Sequence, residues 1–212
     1  MKKSKEYIKI LLWYLFRFFN EPKIFGNSSI LVWKTKIKNN GKDNEIYLGG
    51  QSNYKGCTFI FKGNRNKVII GEKVSLKGVT LWIEGDGNLI IIGNETTIES
   101  PCQIAACEGK KVEIGNDCMF GPNLCIRTSD SHPLFDSTGQ RINNAKDVSI
   151  GNHVWCGADV LILKGTIVPN DSVVGARSLL TTSCKKTNSV YAGSPCKLIK
   201  SNIEWKRSLE EC

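Results

Sequence analysis

The sequence predicts an all-β fold in which the chain winds as a three-sided parallel β-solenoid. Two observations predict it: a glycine-containing fragment recurs every 22 residues, and apolar residues recur every six residues between its copies. Neither the 3.6-residue period of a helix nor the two-residue period of a strand gives a six-residue repeat. A solenoid does, because each group of six residues supplies one flat side and one corner, and stacked coils bury a continuous core.

The recurring fragment consists of apolar residues followed by a glycine. Its five copies place their glycines at Gly49, Gly71, Gly93, Gly115 and Gly151. Glycine suits such corners because it tolerates positive φ. Three groups of six residues need only 18, so each early coil has four surplus residues, which we expect to bulge at one corner. The surplus falls at residues 66–69, 88–91 and 110–113.

Stepping by six from the residue before each glycine gives the positions predicted to point into the solenoid. All of these positions are apolar or aromatic, as a continuous core requires. They are Leu48, Tyr54, Ile60, Ile70, Leu76, Trp82, Ile92, Ile98, Ile104, Ile114, Phe120, Ile126, Ile150, Cys156, Ile162, Val168, Val174 and Leu180.

The composition excludes several classes of protein. Nine cysteines without a C-x-x-C pair argue against a zinc site or a secreted disulfide framework. They favour reduced thiols in a cytosolic protein, with Cys102, Cys118 and Cys156 at buried positions. The formal net charge of +9 indicates either an anionic partner or only general solubility. We expect no nucleic-acid partner, because the sequence has neither a recognised module nor a dense basic stripe.

The N-terminal segment, residues 1–25, is predicted to form an amphipathic helix and a linker. Five apolar side chains share one helical face: Ile8, Leu11, Leu12, Leu15 and Phe19. The apolar stretch is too short to span a bilayer and no cleavage site follows it, so neither a membrane span nor a signal peptide is expected. The helix either caps the solenoid core or, through residues 1–20, touches an anionic membrane surface.

An insertion at residues 128–149 interrupts the repeat. The spacing from Gly115 to Gly151 is 36 residues, which exceeds one 18-residue coil by 18. Such an insertion cannot pack inside the solenoid, and loops on rigid scaffolds are where function concentrates. It carries His132, one of only two histidines in the chain.

Several segments resemble a known family. IGNHVWCGADVLILKGTIVP (150–169), VVGARSLLT (173–181) and VYAGSPCKLIK (190–200) resemble the signature coils and closing segment of the hexapeptide-repeat acyltransferase superfamily. RTSDSHPLFDSTGQRINNAKDV (127–148) resembles the histidine-bearing loop of its bacterial polysaccharide and capsule O-acetyltransferases. The resemblance implies a left-handed parallel β-helix over residues 26–190, followed by a closing segment and a short helix over residues 191–212.

The family's catalytic histidine matches His132. Acetyl transfer to a hydroxyl needs a base that titrates near neutrality, and histidine does so. The resemblance therefore implies that His132 is the general base, and that Asp130 or a backbone carbonyl fixes its tautomer. It also implies an active-site role for Trp155, by stacking on substrate or donating its indole N–H, although the ring could instead pack against another subunit. His153 is expected to serve structure or substrate contact rather than catalysis.

The resemblance further implies acetyl-CoA as co-substrate, no metal, and a homotrimer with each site between two chains. The residues expected to line the coenzyme A channel are Gly157, Ala158, Gly175, Ala176, Lys185 and Lys197; the small ones would admit the pantetheine arm and the lysines would meet phosphate. The expected acceptor is a saccharide of capsule or O-antigen type, modified in the cytoplasm or at the inner face of the membrane.

Other readings of the same fold remain. A β-helical carbonic anhydrase needs three histidines on zinc, and the chain has two. A serine acetyltransferase needs a larger helical N-terminal domain than twenty residues can supply. A sugar-nucleotide N-acetyltransferase is the main alternative, because the same base could activate an amine. A non-catalytic β-helix scaffold is the other.

Overall fold

A computed structural model describes residues 22–26 and 29–209 of the chain. In these ranges the regular elements are short β-strands, arranged in three sheets that the chain visits in turn. All neighbouring strands are parallel except the last pair. This confirms the predicted all-β fold, a left-handed parallel β-helix. The helix predicted in residues 1–20 lies outside the described residues.

The first sheet has seven strands and ends at the corners that carry the repeat glycines. Its strands in spatial order are β1 (Lys23–Gly26), β4 (Glu45–Leu48), β7 (Lys67–Ile70), β10 (Leu89–Ile92), β13 (Lys111–Ile114), β16 (Val148–Ile150) and β19 (Ile167–Val168). The register aligns Ile70 with Ile92 and Ile92 with Ile114, so each inward side chain stacks on its equivalent in the next coil. The first strand begins at Lys23, within the segment that the sequence assigned to the N-terminal linker.

The second sheet has nine strands. They are β2 (Leu31–Trp33), β5 (Asn53–Lys55), β8 (Ser75–Lys77), β11 (Thr97–Ile98), β14 (Met119–Phe120), β17 (Trp155–Cys156), β20 (Val173–Val174), β22 (Ser189–Ala192) and β23 (Lys197–Ser201).

The third sheet has seven strands and carries the longest ones of the solenoid. They are β3 (Lys36–Asn39), β6 (Thr58–Lys62), β9 (Val79–Glu84), β12 (Cys102–Cys107), β15 (Cys125–Arg127), β18 (Leu161–Ile162) and β21 (Leu179–Leu180).

The core follows the predicted six-residue rhythm except on the third side of two early coils. Ile60 and Trp82 were predicted to point inward, but they are half-buried on the outer face. Their neighbours Phe59 and Leu81 occupy the core instead. The reason is that the corner between the second and third sheets is one residue shorter in these two coils. Five positions separate Tyr54 from Phe59 and Leu76 from Leu81, whereas six separate Ile98 from Ile104 in the next coil.

The surplus was expected to bulge at 66–69, 88–91 and 110–113, and this placement is largely wrong. Most of those residues belong to β7, β10 and β13. The surplus extends the third-sheet strands and the turns that follow them, where Asn44, Asn66 and Asn88 are buried. The backbone N–H of Asn66 donates to Asn44 Oδ1 at 2.9 Å, and that of Asn88 donates to Asn66 Oδ1 at 2.8 Å. This asparagine ladder satisfies corner N–H groups that would otherwise be buried without partners.

The repeat glycines are required by close packing between coils rather than by positive φ. A Cβ on Gly115 would lie 2.5 Å from Asn152 Oδ1 and 2.6 Å from the carbonyl carbon of Gly151. Positive φ occurs instead two residues later, at Asp117 (54°) and His153 (52°). The expectation about φ was therefore wrong, although the glycines do lie at the corners.

Over its described residues, 191–209, the C-terminal segment closes the solenoid without the helix expected there. Its described residues form the end of β22, then β23, and then an irregular tail that reaches Leu209. β23 pairs antiparallel with β22, so it covers the exposed edge of the second sheet. No helix in the described part of the chain is long and apolar enough to cross a membrane.

Most of the cysteines that the structure describes are buried, as core residues are. Eight are described and all are free. Cys102, Cys118 and Cys156 are buried, as predicted. Burial raises the pKa of the Cys102 and Cys118 thiols to about 11, so these groups stay protonated and unreactive at neutral pH.

Candidate active site

The insertion leaves the third sheet after β15 and enters the first sheet at β16. Its outer part is a hairpin, in which Phe135 and Arg141 form an antiparallel bridge and the N–H of Ile142 donates to the carbonyl of Leu134 at 2.9 Å. Leu134, Phe135 and Ile142 expose more than half of their surface. An apolar hairpin standing off the solenoid is typical of a segment that meets another surface.

The base of the hairpin is tied to the solenoid by an ion pair. Arg141 donates two hydrogen bonds to the carboxylate of Glu108, at 2.6 and 3.0 Å, and Ser129 donates a further one. The hydrogen bonds from Arg141 and Ser129 lower the pKa of Glu108, although partial burial opposes them. Glu108 lies just after β12, so the rigid third sheet holds the loop in place.

His132 lies exposed at the root of this loop. Its carbonyl oxygen accepts a hydrogen bond from Asn143 Nδ2 at 2.8 Å. Among the residues described, no hydrogen bond reaches its imidazole ring. Within one chain the ring is therefore free to meet a substrate or a second chain.

Asp130 does not contact the His132 ring as the sequence suggested. Its carboxylate accepts hydrogen bonds from Lys164 Nζ and from Asn143 Nδ2, the latter at 2.9 Å. The bond from Lys164 lowers the pKa of Asp130, against the opposing effect of partial burial. Sequence reasoning missed both partners, because Lys164 comes from the corner after β18 and no spacing rule connects it to the loop.

A groove of about 600 Å³ runs along the outer face of the third sheet beside the loop root. Arg127 and Asp130 line one end, and Asn123 and Asp159 line the other. Cys125 and Leu161 form part of its floor. The groove thus joins the root of the histidine loop to the corner between the second and third sheets.

That corner carries four of the residues predicted to bind coenzyme A. Gly157 and Ala158 follow β17, and Gly175 and Ala176 follow β20 one coil later. A Cβ on Gly157 would lie 2.8 Å from the backbone nitrogen of Ala176, so the two coils touch closely here. The corner therefore presents backbone with little side-chain cover, which suits an extended chain of amides.

The two predicted lysines lie near the closing hairpin. Lys197 is exposed in β23 opposite Ala192, which packs against Gly175. Lys185 is exposed on the segment between β21 and β22. Lys197 is thus connected to the glycine corner through Ala192, which lies between them. Lys185 has no such connection among the described contacts.

Trp155 lies in β17, on the outer face of the second sheet between Met119 and Val173. It is 40% exposed, and its ring centroid is 6.1 Å from that of Trp205. His132 stands at the corner between the third and first sheets, so a single chain does not bring the two residues together.

His153 is held by the C-terminal tail. Its Nδ1 lies 2.7 Å from Asp117 Oδ2, and its Nε2 lies 3.1 Å from the carbonyl oxygen of Trp205. The Trp205 ring stacks on the imidazole at 4.0 Å, and its Nε1 donates to the His153 carbonyl at 2.9 Å. These contacts support a structural role. The sequence analysis assigned this tail to the closing segment but did not predict its contacts with His153, because the tail lies beyond the repeat.

Within the described residues, no group of three or more histidine, cysteine, aspartate and glutamate side chains is arranged to hold a metal ion. A scan against protein-family models finds no match. The chain is 37% identical over 94 residues to a polysialic acid O-acetyltransferase of Neisseria meningitidis, covering 44% of each protein. The matched stretch is 30% of a second such enzyme, from Escherichia coli, so the chain spans less than half the length of these curated relatives.

Two solved structures match much more of the chain. The polysialic acid O-acetyltransferase OatWY is 36% identical with a TM-score of 0.86, and the match covers 89% of both chains. The polySia-specific acetyltransferase NeuO is 34% identical with a TM-score of 0.68, over 83% of this chain and 84% of the other. The chain therefore belongs to the hexapeptide-repeat acetyltransferase family, in its capsule O-acetyltransferase branch.

Proposed function

We propose that the protein transfers the acetyl group of acetyl-CoA to a hydroxyl of a bacterial surface saccharide, with His132 as general base. The observation that carries this proposal is the exposed histidine loop on a β-helix that matches OatWY over 89% of its length. The catalytic unit in this proposal is the β-helix of residues 26–190 with its insertion 128–149, preceded by residues 1–25 and closed by residues 191–212.

In the proposed reaction, His132 removes the proton of the attacking hydroxyl as its oxygen bonds to the thioester carbonyl carbon. The C–S bond then breaks, and the imidazolium returns its proton to the leaving thiolate. Negative charge develops on the carbonyl oxygen during attack. The indole N–H of Trp155 is a candidate donor to that oxygen, and its exposed ring face is a candidate stacking surface for a sugar.

Coenzyme A would lie along the glycine corner. Gly157, Ala158, Gly175 and Ala176 leave backbone groups accessible to the pantetheine amides, and Lys197 is close enough to serve a phosphate. Lys185, exposed between β21 and β22, is a second candidate phosphate contact. Acetyl-CoA supplies the acetyl group and the thiol leaving group, and no metal takes part in the proposed chemistry.

A homotrimer would complete the site. His132 lies at the corner between the third and first sheets and Trp155 lies on the second sheet of the same chain, so a site that uses both needs two chains. The apolar hairpin with Leu134, Phe135 and Ile142 offers a surface for a neighbouring copy to cover. Closed three-fold symmetry would give three identical sites. The mass of the protein in solution, measured by light scattering, should be three times that of the chain.

The acceptor is proposed to be an anionic polysaccharide, modified in the cytoplasm or at the inner face of the membrane. The net charge of +9 suits such a polymer. Binding of the protein to anionic vesicles, compared with a chain lacking residues 1–20, would test contact with the membrane.

Acetyl transfer from acetyl-CoA to polysialic acid, a neutral polysaccharide and an amino sugar tests the function, with products read by mass. We expect an O-acetylated saccharide, and His132→Ala should lower the rate by about 100-fold or more. Ser137→Ala, at the tip of the same loop, is the matched control and should keep the wild-type rate. Acetylation of the amine alone would favour the N-acetyltransferase alternative, and failure to bind acetyl-CoA would favour a scaffold.

A further inference from the structure

Asn143 is almost fully buried although the loop that carries it is exposed. Its side-chain amide bonds to both sides of the His132–Pro133 unit. Nδ2 donates to the His132 carbonyl at 2.8 Å, and Oδ1 accepts from the Leu134 N–H at 2.7 Å. A carbonyl and the N–H two residues later are the groups that a neighbouring strand would bond. The Asn143 side chain thus takes the place of a strand partner at the histidine.

This arrangement restricts how His132 can turn. Pro133 has a fixed φ and no N–H, so the segment has few other ways to be held. With the carbonyl before Pro133 and the N–H after it both bonded, the peptide planes on either side are fixed. The residue before a proline is restricted to extended conformations, so rotation about the Cα–C bond of His132 is limited and its Cα–Cβ bond is confined to a narrow range of directions.

Asn143 is itself supported from the solenoid. Its Nδ2 also donates to Asp130 Oδ2 at 2.9 Å, and its carbonyl oxygen accepts from Lys164 Nζ at 2.9 Å. Lys164 also donates to the Asp130 carboxylate. Because Lys164 follows β18, these contacts connect the loop to a coil of the rigid third sheet.

We propose that Asn143 is a positioning residue that aims the His132 imidazole into the active site, with Asp130 and Lys164 as its supports. The inference rests on the proposed function, in which His132 is the base. In this proposal the Asp130 carboxylate holds the loop by accepting hydrogen bonds from Asn143 and Lys164. The sequence had suggested instead that it orients the imidazole.

Two variants test the proposal. Asn143→Ala removes all of the amide contacts. Asn143→Asp keeps the shape and the acceptor for Leu134, but it loses the donor to His132 and places a second carboxylate beside Asp130. Misplacing a catalytic group by about 1 Å costs roughly 100-fold in rate. We expect both variants to lower kcat by about that factor while the KM for acetyl-CoA changes less than about threefold. Gln140→Ala in the same hairpin is the control and should behave as wild type.

The imidazole signals give a readout that does not depend on catalysis. The chain has two histidines, so a protein made without a polyhistidine tag shows two Cε1–H resonances by NMR. In both Asn143 variants the His132 signal should shift and change in width, whereas the His153 signal, held by Asp117 and Trp205, should stay in place.

The outcomes separate this inference from the proposed function. If His132→Ala is inactive but the Asn143 variants keep a wild-type kcat and an unchanged His132 signal, the positioning role is wrong and the function stands. If the Asn143 variants move both histidine signals equally, Asn143 is only structural. If His132→Ala keeps its activity, the base assignment fails and this inference fails with it.

Discussion

Replacing Gly115 with alanine should destabilise the solenoid by about 4 kcal/mol. The new Cβ would lie 2.5 Å from Asn152 Oδ1, so the two coils must move apart. Separation strains the hydrogen bonds from Gly115 N–H to the Ile150 carbonyl, 2.9 Å, and from Asn116 N–H to Asn152 Oδ1, 2.8 Å. Each contributes about 1 kcal/mol, and overpacking a tight site costs about 1–3 kcal/mol more.

Thermal unfolding followed by circular dichroism measures this effect. For a chain of this size, 1 kcal/mol corresponds to roughly 2–4 °C, so the melting temperature should fall by roughly 8–16 °C. Gly139→Ala is the contrasting control, since Gly139 has φ of 81° and no atom within 4 Å of an added Cβ. An alanine at this position in the exposed hairpin should cost only the backbone strain of a positive φ, about 1–2 kcal/mol. A Gly115→Ala protein that melts within 3 °C of wild type would refute the close-packing argument.

Two further predictions concern the second sheet. Arg207 Nε, in the C-terminal tail, donates to Asp117 Oδ1 at 2.5 Å, and His153 bonds to the other carboxylate oxygen. Burial raises the pKa of Asp117, but these two hydrogen bonds together outweigh it and lower the pKa overall. The ionised Asp117 carboxylate therefore stabilises the fold at pH values above the ordinary aspartate pKa of 3.8, and this stabilisation is lost as the pH falls below that value toward the lowered pKa. Asp117→Asn should accordingly lower the melting temperature more at pH 7 than at pH 3. Trp155→Phe, which keeps an aromatic face but loses the indole N–H, should retain more transfer activity than Trp155→Ala; equal activities would contradict a stacking role.

The sequence allowed the solenoid to be predicted because its core repeats. Every coil needs an apolar side chain at the same place and a corner without a Cβ, and both requirements recur at fixed spacing. The prediction failed at Ile60 and Trp82, because the corner before the third sheet is one residue shorter in those two coils and a constant step of six residues does not detect such a change.

The candidate site was predictable only in part. The position of His132 follows from a break in the repeat, which is visible in the sequence. The partners of Asp130 could not be predicted in this way, because Lys164 comes from a later coil and Asn143 from the far end of the loop. Contacts between an insertion and the scaffold follow no periodicity, so they appear only when the chain is folded. The same holds for Trp205 and Arg207 in the tail.

A structure of the protein with coenzyme A bound tests most directly whether His132 of one chain and the glycine corner of another form a single active site. We expect the sulfur of the thiol to lie at the glycine corner of one chain, with His132 Nε2 or Nδ1 of a neighbouring chain within about 4 Å of the place of the acetyl group. A complex in which the thiol lies on another face, with both imidazole nitrogens far from it, would contradict this shared site and the role of His132.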